Sequence, residues 1–323
     1  MTARYVAAAT VVAMVLAVSL PRARQGPPQE PAQLPTFRST ASGVTVDVAV
    51  RDRTRRPVTN LKSSDFEVLD NGVAQTVESL SYGRLPIDVT VALDTSYSVT
   101  GVVLDRLRRG VIQLMGDLGR EDRLRLLVFN MRVSRVVDFT SDERDVERAM
   151  KTVTAGGSTA LLDAISVALV SGSAPDRRQL VVFFTDGGDS NSVTTPSMIA
   201  TVARRARATL TFVMPAVGSS SVIRLAPGTT STSAMATASV NFLSLARTDT
   251  VYSQLARETG GSVLPVTATT DLSATFRRVL DEFRSAYVLY FNARGVEPGG
   301  YHTLDVKVKR ENLTVQARRG YWY

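Results

Sequence analysis

Apolar and polar residues alternate in the segment GVTVDVAV at 43–50, in which every second residue is a valine. A period of two predicts a half-buried β-strand, because successive side chains of a strand point to opposite faces of the sheet. Two further extended runs occupy residues 66–80 and flank the sequence Asp-Asn-Gly at 70–72. Asn-Gly is a strong hairpin signal, because both central residues of that turn need a positive φ. Residues 41–84 are therefore predicted to form an N-terminal β segment.

The middle of the chain has a different pattern, in which continuous apolar runs are separated by segments of helical periodicity. Such runs are typical of strands that are covered on both faces of a sheet. Strands that alternate with helices predict an α/β fold, with a Rossmann-like open sheet and helices on both faces. The predicted strands lie at 87–93, 123–130, 132–139, 178–186 and 208–216, and the predicted helices lie near 101–117, 142–153, 159–171, 194–207 and 249–259.

The period of two returns at the end of the chain, which predicts a second β-rich region. Predicted strands lie at 285–292, 304–310 and 313–320. Because the termini of a domain often lie close together, we expect this C-terminal β segment, 286–323, to pack with the N-terminal one into a small β-sandwich. The α/β domain, 85–285, would then be inserted between the two segments. Within it, residues 217–248 are rich in Ser, Thr and Ala and are predicted to form a long loop.

The first 40 residues resemble an export signal that is followed by a spacer. One basic residue precedes YVAAATVVAMVLAVSL at 5–20, an apolar run that is short for a transmembrane helix. We expect residues 1–20 to be a signal peptide, which could be cut after Ser19, with an uncleaved anchor as the alternative. Residues 21–40 are expected to be a flexible Pro/Gln-rich spacer. The protein is therefore expected to be exported, and to be periplasmic, associated with the cell envelope or secreted.

The composition narrows the possible chemistry. The net charge is +8, and only four of the 38 basic residues are lysines. The arginines are spread over the whole sequence, whereas proteins that bind nucleic acids usually concentrate their charge, so no nucleic-acid partner is expected. The absence of cysteine excludes disulfides, thiolate metal sites and cysteine nucleophiles. The single histidine, His302, is expected to be a surface residue rather than a catalyst.

Acidic and hydroxyl side chains follow the predicted central strands. Open α/β sheets bind ligands beyond the carboxyl ends of their strands, so these side chains are expected to converge on one edge. Carboxylate and hydroxyl oxygens suit Mg²⁺, Mn²⁺ or Ca²⁺ rather than zinc or copper. The alternative is that Asp94 only caps the helix that follows it. The candidates are Asp94, Ser96 and Ser98 in DTSYS, Ser158 and Thr159 in GGSTALLDAI, and Asp186 in FFTDGGD.

These three segments resemble the metal-ion-dependent adhesion site of von Willebrand factor A domains. DTSYS matches the D-x-S-x-S signature, and the other two segments match the second and third elements of the site, within a resemblance that covers roughly 86–285. The segment GGST has one residue more than the commoner Gly-Gly-Thr, so Ser158 is the alternative to Thr159. The flanking sequences VDVAVRDRTRRPV, FRSAYVLYF and RRGYWY resemble those of a bacterial group of exported proteins with such domains. The resemblance implies a metal ion held by Asp94, Ser96, Ser98, Thr159 and Asp186.

The neighbouring residues are expected to have minor roles. Asp163 would support the site loop or lie on a helix surface, and Asp189 would be a loop residue rather than a ligand. Tyr97 would line the rim of the site or be an exposed loop aromatic.

The resemblance implies a function as an exported, non-enzymatic module for adhesion or assembly. Its Mg²⁺, Mn²⁺ or Ca²⁺ ion would capture an Asp or Glu carboxylate of a partner protein, and the chain would meet a membrane only through an uncleaved N-terminal segment. One alternative is a metal-dependent hydrolase such as a phosphoesterase. Aspartate-nucleophile phosphatases typically have a second acid where this chain has Ser96, and a lysine near the site, whereas Lys151 is the only lysine between 63 and 306. Another alternative is a structural envelope component with a vestigial site.

Overall fold

A computed structural model of the protein describes residues 43–83, 85–215, 251–267 and 269–323. Contacts divide the chain into Met1–Leu34 and Pro35–Tyr323, and every described residue belongs to the second of these units. The expected signal peptide and spacer, and the expected loop at 217–248, therefore lie outside the described residues. Within the described ranges, none of the helices combines the length and the apolar character that crossing a bilayer requires.

The secondary structure follows the predicted alternation. The strands are β1 (Gly43–Arg51), β2 (Phe66–Asp70), β3 (Val73–Gln75), β4 (Ser79–Tyr82), β5 (Ile87–Asp94), β6 (Arg123–Phe129), β7 (Val133–Thr140), β8 (Arg178–Phe184), β9 (Thr209–Pro215), β10 (Val263–Val266), β11 (Tyr287–Asn292), β12 (Tyr301–Val308), β13 (Thr314–Ala317) and β14 (Gly320–Trp322). The helices are α1 (Val102–Gly116), α2 (Glu143–Thr152), α3 (Leu161–Val170), α4 (Pro196–Arg205), α5 (251–259) and α6 (Leu272–Arg284).

A six-stranded sheet with the order β10-β9-β8-β5-β6-β7 forms the centre of the molecule. Its neighbouring strands are parallel except for β7, which runs antiparallel to β6. Strand β5 is buried along its whole length, since side chains from α1, α2 and α6 cover one face of the sheet and side chains from α3, α4 and α5 cover the other. The predicted α/β fold, a Rossmann-like open sheet with helices on both faces, is thus confirmed.

Both ends of the described chain form a β-sandwich beside this sheet. One layer has the order β13-β1-β11-β4 and the other β14-β12-β2-β3, and the two layers share an apolar core. The alternating valines of β1 all point into that core. The predicted hairpin joins β2 to β3 through Asn71 and Gly72, whose φ angles are 46° and 83°. The expected β-sandwich of N- and C-terminal segments is confirmed.

The α/β region leaves the sandwich after β4 and returns to it at β11. These two strands are antiparallel neighbours, with Tyr82 opposite Tyr287 and their ring centroids 4.9 Å apart. The long excursion between them therefore begins and ends at one pair of hydrogen-bonded strands.

Helix α6 is the main element that the sequence analysis does not predict. Asp271 caps it by accepting hydrogen bonds from the backbone N–H groups of Ser273 and Ala274, at 2.9 and 3.3 Å. Its buried residues, Phe276, Val279, Leu280 and Phe283, follow the helical spacing of i, i+3, i+4 and i+7. Both the cap and the period were therefore present in the sequence.

The prediction that His302 is a surface residue is wrong. Its side chain lies inside the sandwich and is 1% exposed, because residues of β12 alternate between the two faces and His302 and Leu304 share the inner one. Its Nδ1 lies 2.8 Å from the Oδ1 of Asp70, and the hydroxyl of Tyr321 donates a 2.6 Å hydrogen bond to Oδ2 of the same carboxyl. The histidine thus belongs to a buried polar group that fastens β14 and β12 to β2.

Candidate metal centre

The predicted site residues lie at the carboxyl edge of the central sheet. Strands β5 and β8 are adjacent and parallel, with Leu93 opposite Phe184. Asp94, the last residue of β5, and Asp186, which follows β8, are therefore brought to the same edge. The loop that leads into α3, which contains Ser158 and Thr159, reaches this edge as well.

Asp94 is completely buried, although it is a carboxylate at the end of a strand. Its Oδ1 accepts a hydrogen bond from the backbone N–H of Ser96 at 2.9 Å, and its Oδ2 accepts one from the hydroxyl of Thr185 at 2.8 Å. The residue at the N-cap of α1 is Gly101. Asp94 therefore does not cap the helix that follows it, and the alternative interpretation of this residue is wrong.

The electrostatics of Asp94 are those of a buried acid next to a second acid. Burial raises its pKa from the usual 3.8 to about 6, although the hydrogen bonds from Ser96 and Thr185 favour the charged form. Burial is the largest cause of this rise, and the negative charge of Asp186 also contributes to it. The neighbouring negative charge disfavours the ionisation of Asp94, and a cation between the two groups would relieve that repulsion.

The hydroxyls of Ser96 and Ser98 lie side by side, with their Oγ atoms 3.0 Å apart. The loop that carries them is held by the next strand and by the glycine loop. The backbone N–H of Thr95 donates to the carbonyl of Phe129 at 2.8 Å, and the N–H of Tyr97 donates to the carbonyl of Gly157 at 3.1 Å. The DTSYS and GGST segments, distant in sequence, are thus directly hydrogen-bonded.

Thr159 joins the same arrangement from the start of α3. It is 8% exposed, and its backbone carbonyl accepts hydrogen bonds from the N–H groups of Ser190 and Asn191, both at 2.9 Å. Its own N–H donates to the Oγ of Ser190 at 3.2 Å. These bonds connect the second motif segment to the third, in which the Oδ1 of Asp186 accepts from the N–H of Gly188 at 2.9 Å.

Asp189 has a role that the sequence analysis does not give it. Its Oδ1 accepts hydrogen bonds from the backbone N–H groups of Leu161 and Leu162, at 2.8 and 3.4 Å, and so caps α3 from a different segment. A carboxylate at this position also interacts favourably with the positive end of the helix dipole. No local pattern could have revealed this cap, because the acid and the helix that it caps are 28 residues apart.

Asp163 holds the loop that follows the third segment. Its carboxylate accepts hydrogen bonds from the backbone N–H groups of Val193 and Thr194, at 3.1 and 2.8 Å. Of the two roles that the sequence allowed for Asp163, support of the site loop is the one that the structure shows. Thr185 and Tyr252, which the sequence analysis did not single out, also belong to this region, since the Tyr252 hydroxyl donates to the carbonyl of Gly187 at 3.2 Å.

The donor set fits a hard divalent cation. Across the part of the chain that the structure describes, no three acidic or histidine side chains come together in a way that could hold a metal ion. A metal at this edge would therefore need the hydroxyls in addition to Asp94 and Asp186. Oxygen donors of this kind suit Mg²⁺, Mn²⁺ or Ca²⁺, whereas structural zinc usually takes sulfur and nitrogen donors.

Comparison with known proteins gives a family match over the same region. Residues 89–188 match the family model described as von Willebrand factor type A domain. Inter-alpha-trypsin inhibitor heavy chain H4 from Sus scrofa is 27% identical to this chain over 136 residues. That alignment covers 39% of this chain and 15% of the pig protein, so only a small part of the relative's length is matched.

Three solved structures were also similar at low sequence identity. A von Willebrand factor type A protein from Catenulispora acidiphila is 11% identical, with a TM-score of 0.47, and the match covers 86% of this chain and 73% of that one. The PilB minor pilin from Streptococcus sanguinis is 12% identical, with a TM-score of 0.46 and 62% of each chain covered. An aerotolerance-related membrane protein from Bacteroides fragilis is 17% identical, with a TM-score of 0.42, and the match covers 61% of this chain and 98% of that one.

The family match and the molecule's own geometry agree. The matched range begins in β5 and ends just after Asp186, so it contains all three motif segments that meet at the carboxyl edge of the sheet. Residues 89–188, which hold the candidate metal centre, therefore resemble a von Willebrand factor type A domain.

Proposed function

We propose that the protein is a metal-dependent protein-binding module. Asp94, Ser96, Ser98, Thr159 and Asp186 would hold a Mg²⁺, Mn²⁺ or Ca²⁺ ion, which would capture an acidic group of a partner protein. The observation that carries the proposal is the buried carboxylate of Asp94, which lies close enough to Asp186 for that charge to raise its pKa. Among the described residues, neither acid forms an ion pair with a basic side chain, so the usual compensation for a buried charge has to come from elsewhere.

The protein's own contribution to binding is to hold the oxygen donors in place before the partner arrives. The hydrogen bonds from Ser96 and Thr185 fix both oxygens of Asp94, and the loop contacts fix the seryl hydroxyls. When bound, the metal ion would supply a positive centre that attracts an external carboxylate. Because the site has only two carboxylates, a third from the partner would be a favourable ligand.

Exposed apolar side chains around the site support a protein partner. Tyr97, Met131 and Val193 are 75%, 53% and 86% exposed, and all three lie on loops at the carboxyl edge. The carbonyl of Met131 accepts a hydrogen bond from Asn191 at 3.3 Å, which places it beside the third motif segment. Large apolar groups that cluster on a surface mark interaction sites. We therefore propose that the partner's carboxylate is flanked by apolar residues.

The same geometry supports a role without catalysis. The chain's single histidine is enclosed in the sandwich core with Asp70, and Lys151 lies in the last turn of α2. Neither residue is among those that form the candidate centre. A phosphoesterase of the type considered above would need a second acid beside Asp94, and that position holds Ser96.

We also propose the domain organisation and location that the sequence predicts. Residues 85–285 would be the binding domain, and residues 41–84 and 286–323 would be its supporting sandwich. The apolar run at 5–20 supports export to the periplasm, the envelope or the medium. Fractionation of the producing cells, with mass measurement of the mature chain, tests both export and cleavage after Ser19.

A metal titration followed by thermal unfolding tests the proposed function. The melting temperature of the wild type should rise with Mg²⁺ or Mn²⁺ concentration, because a ligand that binds only the folded state stabilises it. Ser98→Ala and Asp186→Ala should lose that dependence. Asp105→Asn removes an exposed acid from α1 and should keep it. The proposal would be contradicted if no divalent cation changed the melting temperature of the wild type. The hydrolase would be favoured if the wild type hydrolysed phosphoesters and Asp94→Ala abolished that activity.

A further inference from the structure

A cluster of six arginines lies at the amino edge of the central sheet, on the side opposite the candidate metal centre. Helices α4 and α5 both end at this edge. Helix α4 leads directly into β9, and Thr259 at the end of α5 accepts a hydrogen bond from the backbone N–H of Leu210 near the start of β9. The short segment between β13 and β14 joins them there. We call this surface the basic patch; it consists of Arg204, Arg205, Arg207, Arg257, Arg318 and Arg319.

Direct contacts join the part of the basic patch that contains Arg204, Arg205 and Arg318 to the end of the chain. The guanidinium of Arg204 lies over the ring of Tyr301, 4.9 Å from its centroid, and that of Arg205 lies over the ring of Trp322 at 4.2 Å. Arg318 donates a hydrogen bond to the backbone carbonyl of Arg204 at 3.3 Å. The end of α4 is thus in contact with β12, with β14 and with the segment between β13 and β14.

The positive charge of the basic patch is largely uncompensated. Glu258 pairs with Arg204 at 3.6 Å and accepts a hydrogen bond from the Tyr301 hydroxyl at 3.0 Å. Among the described residues, it is the only acidic side chain in an ion pair with the six arginines. Burial lowers the pKa of Arg318, the negative charges of Asp47 and Glu258 raise it, and the positive charge of Arg207 lowers it. Two acids thus act on a surface that carries six arginines. The electrostatic potential of this surface is therefore expected to be strongly positive.

An aromatic side chain lies within this charged surface. Trp322 is 47% exposed and is the only tryptophan of the chain. A partly exposed indole beside arginines is the combination found where proteins meet the headgroup layer of a membrane, because the ring has an apolar body and a polar N–H. Arginine in turn binds phosphate oxygens through a rigid fork of donors.

We propose that the basic patch docks the protein on an anionic membrane surface, where the arginines bind lipid phosphates and Trp322 enters the headgroup layer. The charges are spread over a surface rather than gathered in a pocket. The cavity of about 320 Å³ between α1 and the start of β5 is lined by none of the six arginines. An extended anionic surface therefore fits the patch better than a small ligand does. This contact is additional to any that an uncleaved N-terminal segment would make.

A membrane is favoured over a nucleic acid for a structural reason. Sequence-tolerant binding of single strands relies on aromatic rings on which bases stack. The exposed aromatic of the patch, Trp322, already has the guanidinium of Arg205 over its ring. Docking at the amino edge would leave the carboxyl edge, with its candidate metal centre, pointing away from the bilayer.

Trp322 fluorescence provides a test that is specific to the patch even in the full chain, whose apolar N-terminal run could itself insert into vesicles. The full-length protein is titrated with vesicles of phosphatidylcholine and with vesicles that also contain phosphatidylglycerol. The emission of Trp322 should shift to shorter wavelength only with the anionic vesicles. The shift should weaken as salt screens the charges.

Two charge-reversal variants make the test quantitative. Arg207→Glu, Arg257→Glu and Arg319→Glu together change exposed members of the patch, and the apparent affinity for anionic vesicles should fall by more than about tenfold. Arg109→Glu, Arg144→Glu and Arg148→Glu together change the net charge equally, on α1 and α2 at the other face of the sheet, and should stay within about twofold of wild type.

Three results would overturn the proposal. One is a Trp322 emission that does not respond to anionic vesicles. Another is an equal loss of affinity in both triple variants, which would show an effect of net charge alone. The third is a response to duplex DNA without one to vesicles, which would assign the patch to a nucleic acid.

Discussion

The hydroxyl of Thr185 donates a hydrogen bond to the buried Oδ2 of Asp94 at 2.8 Å, and this bond joins the ends of the two strands that carry the acids of the candidate metal centre. Thr185 also accepts a hydrogen bond from the backbone N–H of Gly187 at 3.0 Å. A single side chain thus orients the carboxylate of β5 and shapes the loop that follows β8.

Replacement of this hydroxyl should weaken both folding and metal binding. Thr185→Val keeps the shape of the side chain but leaves a buried carboxylate oxygen without its donor. We expect the free energy of unfolding to fall by about 1–3 kcal/mol and the Mg²⁺-induced rise in melting temperature to shrink. Chemical denaturation and thermal melting measure the two effects. Thr185→Ser retains the hydroxyl and should behave like wild type; a valine variant as stable as wild type would show that the bond contributes nothing.

The raised pKa of Asp94 predicts that the stability of the protein changes with pH in opposite directions with and without bound metal. The pKa of Asp94 is about 6 in the folded protein, and its ordinary value of 3.8 applies to the unfolded chain. The metal-free protein therefore binds this proton more tightly when it is folded. The contribution of Asp94 to stability therefore decreases as pH rises from about 4 to about 6. With saturating Mg²⁺ the trend should reverse, because the metal needs the ionised carboxylate.

Melting temperatures recorded across this pH range, with magnesium and with a chelator, measure that difference. Asp94→Asn provides the control, since it lacks the titrating group and should show neither trend. Parallel pH profiles of the wild type in the two conditions would mean that Asp94 does not bind the metal.

Removal of the carboxylate that caps α3 should loosen the second motif segment. Asp189→Ala leaves the N–H groups of Leu161 and Leu162 without this acceptor, and we expect a loss of about 1 kcal/mol in the free energy of unfolding. Because α3 begins directly after Thr159 and Ala160, the apparent affinity for Mg²⁺ should fall as well. Asp189→Asn keeps one acceptor oxygen and should lose less. Unchanged metal affinity in Asp189→Ala would separate the cap from the site.

The buried pair in the sandwich should matter for folding and not for metal binding. His302→Ala leaves the buried carboxyl group of Asp70 with the Tyr321 hydroxyl as its remaining side-chain partner, and we expect the free energy of unfolding to fall by about 3 kcal/mol. The Mg²⁺-induced change in melting temperature should persist. Lys307→Ala, an exposed change on the same strand, should be close to neutral. A loss of metal response in His302→Ala would show that the sandwich and the metal centre are coupled.

The sequence allowed the elements around the candidate site to be predicted because their signals are local. Strand β5 is rich in apolar residues, and the polar residues that follow it lie at the edge where the parallel topology must place them. The connections that hold the site together could not be predicted. Asp189 caps a helix that precedes it by 28 residues, and Thr185 bonds to a residue 91 positions away. Such contacts depend on the folded arrangement of loops, which leaves no periodic trace in the sequence.

His302 and α6 are two features that the sequence analysis did not predict, and the reasons differ. The inward direction of His302 follows from its register with Leu304 on β12, whereas the residue type alone does not reveal it, because histidine is intermediate in burial. Helix α6 has both a capping residue and an apolar stripe, so local signals for it are present in the sequence.

The pairing of Tyr82 with Tyr287 has a mechanical consequence. A tensile load applied between the two ends of the described chain would be carried first by the hydrogen bonds of β1 with β13 and β11 at one end, and by those of β14 with β12 at the other. The inserted region begins after β4 and ends before β11, and these two strands are hydrogen-bonded to each other. No tension would therefore reach the inserted region until those two strands separate. A partner held at the far edge could then remain bound while the sandwich beneath it bears strain.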